Sequence, residues 1–193
     1  MTSCAQISSF QSARTTAKGE GEFGASLNVA GITGGFDNES YAAPLIDLWG
    51  RYGVGSKTDI GLKVSTGLTI VFDIKQQLVG DQQSKFALAV GGAAGAFPAG
   101  ALVYQFHIPV YLSFHPSEKI AWYLTPRYVN QGISGAGSAN YLGSSVGVLF
   151  GKKVKFGIDI SYSRVLADPI GLEDSNLGAG LFNLGWGIKI PIR

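Results

Sequence analysis

The sequence predicts an all-β fold, a closed eight-stranded antiparallel barrel that spans a membrane, with ten strands as the alternative. Two observations carry this. The first is period-two alternation in long segments, clearest in residues 59–72, DIGLKVSTGLTIVF. Ile60, Leu62, Val64, Leu68, Ile70 and Phe72 fall on one face; Asp59, Gly61, Lys63, Ser65 and Gly67 fall on the other. Successive strand side chains point to opposite faces, so this is a strand pattern, and it is long for a soluble sheet. The second is that 46% of the chain is hydrophobic, yet no run approaches the ~20 apolar residues of a membrane helix. Hydrocarbon cannot satisfy an open sheet edge, so spanning strands must close on themselves.

The elements follow in order. Residues 1–21 are rich in Ser, Thr, Ala and Gln and predict a flexible leader; residues 22–193 form one barrel domain. Strand segments are expected at 22–30, 41–52, 59–72, 101–114, 120–128, 141–150, 154–165 and 177–190. The side chains of Ile60, Leu62, Leu68, Tyr104, Phe106, Ile108, Ile158 and Ile160 are expected to meet lipid. Residues 75–100 break the pattern. Counting SKFALAVGGAAGAF as a strand gives nine, an odd number, whereas a barrel with both termini on one side needs an even one. The segment is therefore expected to be an excursion at the barrel mouth, with Phe86, Leu88, Val90 and Phe97 as a candidate apolar pocket. Long loops at 33–40, 129–140 and 166–176 then alternate with short turns, among them HPSEK at 115–119. Pro109 counts against strand 101–114, since proline lacks the N–H a ladder needs.

The aromatics suggest two girdles, because amphipathic rings favour the headgroup level. Tyr52, Phe114, Trp122, Phe150 and Phe156 fall near the short turns, and Phe72, Tyr128 and Tyr162 near the long loops.

The inward face carries both charge signs: Glu22, Asp47, Arg51, Asp59, Lys63, Arg127, Lys155, Asp159 and Lys189. Small barrels are just wide enough for side chains to fill, and buried charges persist only when paired, so a mostly closed, salt-bridged lumen is expected. Gln105, His107, Tyr111 and Tyr123 add polar lumen groups. His107 faces inward and His115 falls in a turn, so the two histidines do not converge on a metal. A Ser–His–Asp set through His107 and Asp159 is not specific in so Ser-rich a chain, no GxSxG is present, and the Gly pairs form no phosphate loop. The chain is accordingly expected not to be an enzyme and to need no cofactor. A net charge of +2 predicts no nucleic-acid partner. The single cysteine, Cys4, excludes an internal disulfide. Thr2 and Ser3 before it are small enough for a lipoprotein cleavage site, which makes Cys4 a candidate lipidation site.

The strands EFGASLNVA, DIGLKVSTGLTIVF, ALVYQFHIPVYLSF, KFGIDISYS and GLFNLGWGIKI together resemble the small outer-membrane β-barrel proteins of Gram-negative bacteria. The leader SCAQISSFQSA resembles the mature start of a Bacteroidetes-type outer-membrane lipoprotein. Many such barrels end on an aromatic residue; this chain ends at Arg193. The resemblance implies an outer-membrane location, with outer-membrane lipids as partners and an envelope, anchoring or loop-mediated role. The alternative is a transport or binding barrel for a small or apolar ligand at residues 86–97. Oligomeric state is left open.

Overall fold

The computed structural model describes residues 10–33, 41–66, 68–98, 102–135, 137–167 and 180–192. Ten strands lie among them: β1 (Gly21–Thr33), β2 (Tyr41–Gly53), β3 (Thr58–Ser65), β4 (Ile70–Val79), β5 (Phe86–Pro98), β6 (Leu102–Ser117), β7 (Ile120–Ile133), β8 (Gly137–Phe150), β9 (Lys155–Ala167) and β10 (Gly180–Ile192). Each pairs antiparallel with its sequence neighbours, and β1 pairs with β10 to close the barrel. The fold is thus a ten-stranded up-and-down barrel, the alternative rather than the leading expectation.

Two differences make the change from eight to ten. Residues 59–72 are not one strand. They belong to a hairpin in which β3 runs to Ser65, the chain turns, and β4 begins at Ile70. The turn is closed by Ser65 N–H to Thr69 O at 3.0 Å and Leu68 N–H to Ser65 O at 2.9 Å. Leu68, expected on the lipid wall, sits in this turn with φ of 59°. The alternation hid the turn because the register pairs Val64 with Ile70 and Leu62 with Phe72. Even-numbered residues oppose even-numbered residues, so the apolar parity runs through the reversal unbroken. The second difference is β5. Residues 86–98 are a full strand paired with β4 and β6, not an excursion. Fusing two strands and omitting one kept the count even, so the parity rule could not expose either error.

The connections change accordingly. The 129–140 stretch expected to be a loop is the β7–β8 hairpin, in which Asn130 pairs with Asn140. The 66–69, 99–101 and 134–136 links are as short as those at 54–57, 80–85, 118–119 and 151–154. The loops expected at 33–40 and 166–176 fall almost wholly outside the described residues. At 80–85, Asp81 accepts from the Gln83 and Ser84 backbone N–H groups (2.8 and 2.7 Å) and from the Ser84 hydroxyl (2.8 Å). The Gln83 and Ser84 bonds hold its carboxyl below the usual range. Strand β6 extends past the expected boundary. His115 is therefore not in a turn but in β6, buried, with Nε2 2.9 Å from Ser113 Oγ.

The two faces are as the alternation predicts. Leu62, Phe106, Ile108, Ile158 and Ile160 are outward and exposed, with Ile160 at 60%. Apolar exposure continues round every strand; Phe23, Leu48, Phe72, Phe114, Trp122, Val146 and Trp186 all belong to it. A water-soluble monomer does not present an apolar belt of this extent; a membrane barrel requires one. Tyr52, Phe114, Trp122, Phe150 and Phe156 cluster toward the 54–57, 118–119 and 151–154 turns, and Phe150 and Phe156 stack with centroids 5.8 Å apart. The inward face is polar: Asp47, Arg51, Asp59, Lys75, Gln105, His107, Arg127 and Asp159 are all buried.

Candidate functional site: a lumen filled by the N-terminal segment

The expected lumen charges do face inward, and several are paired. Lys189 Nζ lies 2.6 Å from Glu22 Oε2 near the mouth formed by the 54–57 and 151–154 turns. Lys155 is the register partner of Lys189 and shares that inward face. Arg51 donates from Nε to Asp59 Oδ1 at 3.1 Å, makes a second, shorter ion pair to the same oxygen through Nη2, and reaches Asp73 Oδ1 at 2.5 Å. Lys75 Nζ is 3.5 Å from Asp59 Oδ2. It also lies 5.5 Å from the centroid of the Tyr111 ring, a cation–π distance. Deeper in, Asn28 donates to Asp47 at 3.1 Å, Tyr123 OH donates to Asp159 Oδ2 at 2.7 Å, and Arg127 Nη2 donates to Ser145 Oγ.

Asp73 and Lys75 were not among the expected lumen residues. They belong to β4, whose latter part was assigned to the excursion. With β4 in place, Asp73, Lys75 and Gln77 continue the inward parity of Thr69 and Val71. The candidate apolar pocket is also corrected. Phe86, Leu88 and Val90 lie on the outward face of β5, with Phe86 49% exposed, and Phe97 falls on the opposite parity. They do not converge at the mouth, because a strand sends alternate side chains to opposite faces.

The largest departure from expectation is the leader. From Phe10 onward it is not a free tail: Phe10, Gln11, Ser12, Ala13, Thr15 and Thr16 are buried within the barrel. The Thr16 N–H donates to Asp59 Oδ2 at 2.7 Å, and the Thr15 N–H to Gln77 Oε1 at 3.1 Å. The Ala13 N–H donates to Ser113 Oγ at 3.1 Å. Lys75 Nζ donates to the carbonyls of Ser12 and Arg14, both at 3.1 Å. Arg14 reaches the Ser84 carbonyl at 2.6 Å, and Gln82 donates to the Thr15 carbonyl. Segment and wall thus satisfy one another, as buried backbone must be satisfied.

Phe10 fills a gap that the wall leaves for it. Gly157 of β9 and Gly185 and Gly187 of β10 face inward side by side; Gly187 pairs with Gly157. A Cβ on any of the three would lie 2.9 Å from the Phe10 ring. The signal for this was present in GLFNLGWGIKI. Two inward glycines on one strand, beside a third on its neighbour, leave a void that something must occupy. Cys4 lies outside the described residues.

Beyond Phe10 and Gln11 the lumen holds a polar cavity of about 50 Å³, lined by Gln11, Lys63, Asp73, His107, Tyr111, Thr125 and Arg127, among others. Expected lumen residues from three strands thus meet at one place: Lys63 of β3, His107 and Tyr111 of β6, and Arg127 of β7. His107 Nε2, Thr125 Oγ1 and both amide atoms of Gln105 and Gln131 are buried without a hydrogen-bond partner among the described residues. His107 is therefore lumenal, as expected, and faces the cavity rather than a second histidine.

No protein-family model matches the sequence, and no curated protein matches it. Solved structures do. The NanC porin covers 83% of this chain and 98% of its own, at 12% identity and a TM-score of 0.50. Neisserial surface protein A covers 88% and 96%, at 12% identity and a TM-score of 0.36. The outer membrane protease OmpT from Escherichia coli covers 90% and 95%, at 11% identity and a TM-score of 0.45. At these identities the likeness is one of fold. The expectation that the chain is not an enzyme is corrected here. One of the solved structures this chain is similar to is a protease, but a likeness of fold alone decides neither for nor against an activity. The closed barrel and its continuous apolar exterior are those of a bacterial outer-membrane β-barrel protein, and the outer membrane is where this chain resides.

Proposed function

We propose that this chain is a closed outer-membrane barrel, sealed at rest by its own N-terminal segment, that serves the envelope as an anchor or through its connecting loops. The observation that carries this reading is the burial of residues 10–13, 15 and 16 among paired lumen charges. Opposite charges that bridge across the interior, with a peptide threaded between them, leave no continuous water path at that level. Contacts to a partner then fall to the ends of the barrel, of which 34–40 and 168–179 are the longest connections. Planar-bilayer recording of the purified full chain at low voltage tests the seal. The expected result is no steady current after insertion; a steady ohmic current would overturn it.

The lipid anchor belongs to the same proposal. Its support is the small pair Thr2–Ser3 ahead of Cys4. Intact mass of protein extracted from native membranes should carry the mass of attached acyl chains, and an unmodified Cys4 would remove the anchor from the account.

A further inference from the structure

The segment in the lumen is held differently from the rest of the described interior. Every strand is paired along both edges. Residues 10–17 join no ladder, and the one β-bridge near them is a single parallel contact between Lys18 and Gly53, at the mouth. What holds the segment is a set of hydrogen bonds between its backbone and wall side chains: Asp59 to Thr16, Ser113 to Ala13, Lys75 to Ser12 and Arg14. Water that enters as the segment moves can replace each of these bonds, and the charge-assisted ones to Asp59 and Lys75 are the strongest hold on the segment. The one large apolar group is Phe10, and it adopts φ of 42°, a left-handed conformation uncommon for a residue with a side chain.

The space beyond the segment is built differently from a solid core. The cavity there has room for a few waters. In its lining His107 Nε2 and Thr125 Oγ1, and Gln11 Oε1 from the segment itself, are buried with no hydrogen-bond partner among the described residues. Buried polar groups are nearly always hydrogen-bonded, so this lining suits water or a small polar solute. The segment is the floor of that chamber. On its other side the wall is glycine at 157, 185 and 187, so departure of Phe10 widens the lumen there.

We infer that residues 10–17 are a removable gate, and that the barrel passes small hydrophilic solutes when this segment leaves the lumen. The inference rests on the closed-lumen reading, to which it adds an open state. Asp59, Asp73, Arg51 and Lys75 remain paired with one another in that state. The wall therefore keeps its own charge balance when the segment leaves.

The test uses the full chain in liposomes and planar bilayers, with barrel integrity followed by heat-modifiable electrophoretic mobility. In a Cys4→Ser background, Ala13→Cys places a thiol at a fully buried position of the segment. A membrane-impermeant maleimide is expected to label it while the barrel stays folded. Rare discrete openings are expected in the wild type, at least tenfold more frequent in Thr16→Pro, which lacks the N–H that reaches Asp59. Labelling confined to unfolded protein overturns the gate while the closed-lumen reading stands, and so does labelling without any openings. Steady wild-type current with position 13 unlabelled overturns the closed-lumen reading itself. Should Thr16→Pro fail to fold, labelling and recording of the Ala13→Cys chain decide alone.

Discussion

At the scale of single residues, two side chains organise the interior. Arg51 lies between Asp59 and Asp73, and all three are largely shielded from solvent. Removing one partner of a buried ion pair leaves an uncompensated charge, which costs about 3–5 kcal/mol. Arg51→Ala is therefore expected to lower the urea midpoint of the folded barrel far more than Lys75→Ala, because Asp59 then retains Arg51 and the Thr16 N–H. Equal midpoints for the two variants would contradict the network. Phe10 is the second. Of the three glycines that cradle its ring, Gly187 is the one whose three nearest atoms to the missing Cβ all belong to that ring. Gly187→Val should cost about 1–3 kcal/mol, the usual range for overpacking, and Phe10→Ala should recover part of it in the double variant. Additive losses would show that the two residues do not touch.

At the scale of elements, the faces of the strands were legible and their number was not. The alternation assigned Asp47, Arg51, His107, Tyr123 and Asp159 inward and Leu48, Phe106, Ile108 and Ile160 outward, all as found. It works because a polar lumen and a lipid exterior impose opposite demands on alternate residues. It failed at residues 59–72 because a reversal that keeps parity leaves no mark in the pattern. Only the Thr66-Gly67 pair and the excess length hinted at a turn. It failed at β5 because a ninth strand made the count odd, and AVGGAAGA, with small residues on both faces, gave the alternation too little amplitude to outweigh that. Losing β5 and half of β4 then removed Asp73 and Lys75 from view. The turn itself gives a prediction. Leu68 is 68% exposed at φ of 59°, a conformation that glycine adopts without a Cβ clash. Leu68→Gly is expected to leave stability unchanged or raise it by up to about 1 kcal/mol, read from urea unfolding in micelles. A loss greater than about 1 kcal/mol would place Leu68 in a contact the hairpin does not show.

At the scale of the whole molecule, the barrel has two solvents, lipid outside and its own N-terminal segment inside. The outer one is tested by charge placement. Ile108, 56% exposed in the middle of β6, would face hydrocarbon. Ile108→Arg should cost about 2–4 kcal/mol in a bilayer, whereas in a water-soluble barrel the same change would be nearly neutral. The inner one was the least legible feature of the sequence. SSFQSARTT has neither period nor composition that separates a plug from a free leader, and only the inward glycines at 157, 185 and 187 recorded the space it fills. Nuclear Overhauser contacts in lipid nanodiscs test this central point most directly. A barrel sealed from within predicts contacts from the Phe10 ring protons to the Hα protons of Gly185 and Gly187, with residues 10–16 as ordered as the strands. Random-coil shifts and low order parameters over 10–16, with no contact to β10, would contradict it.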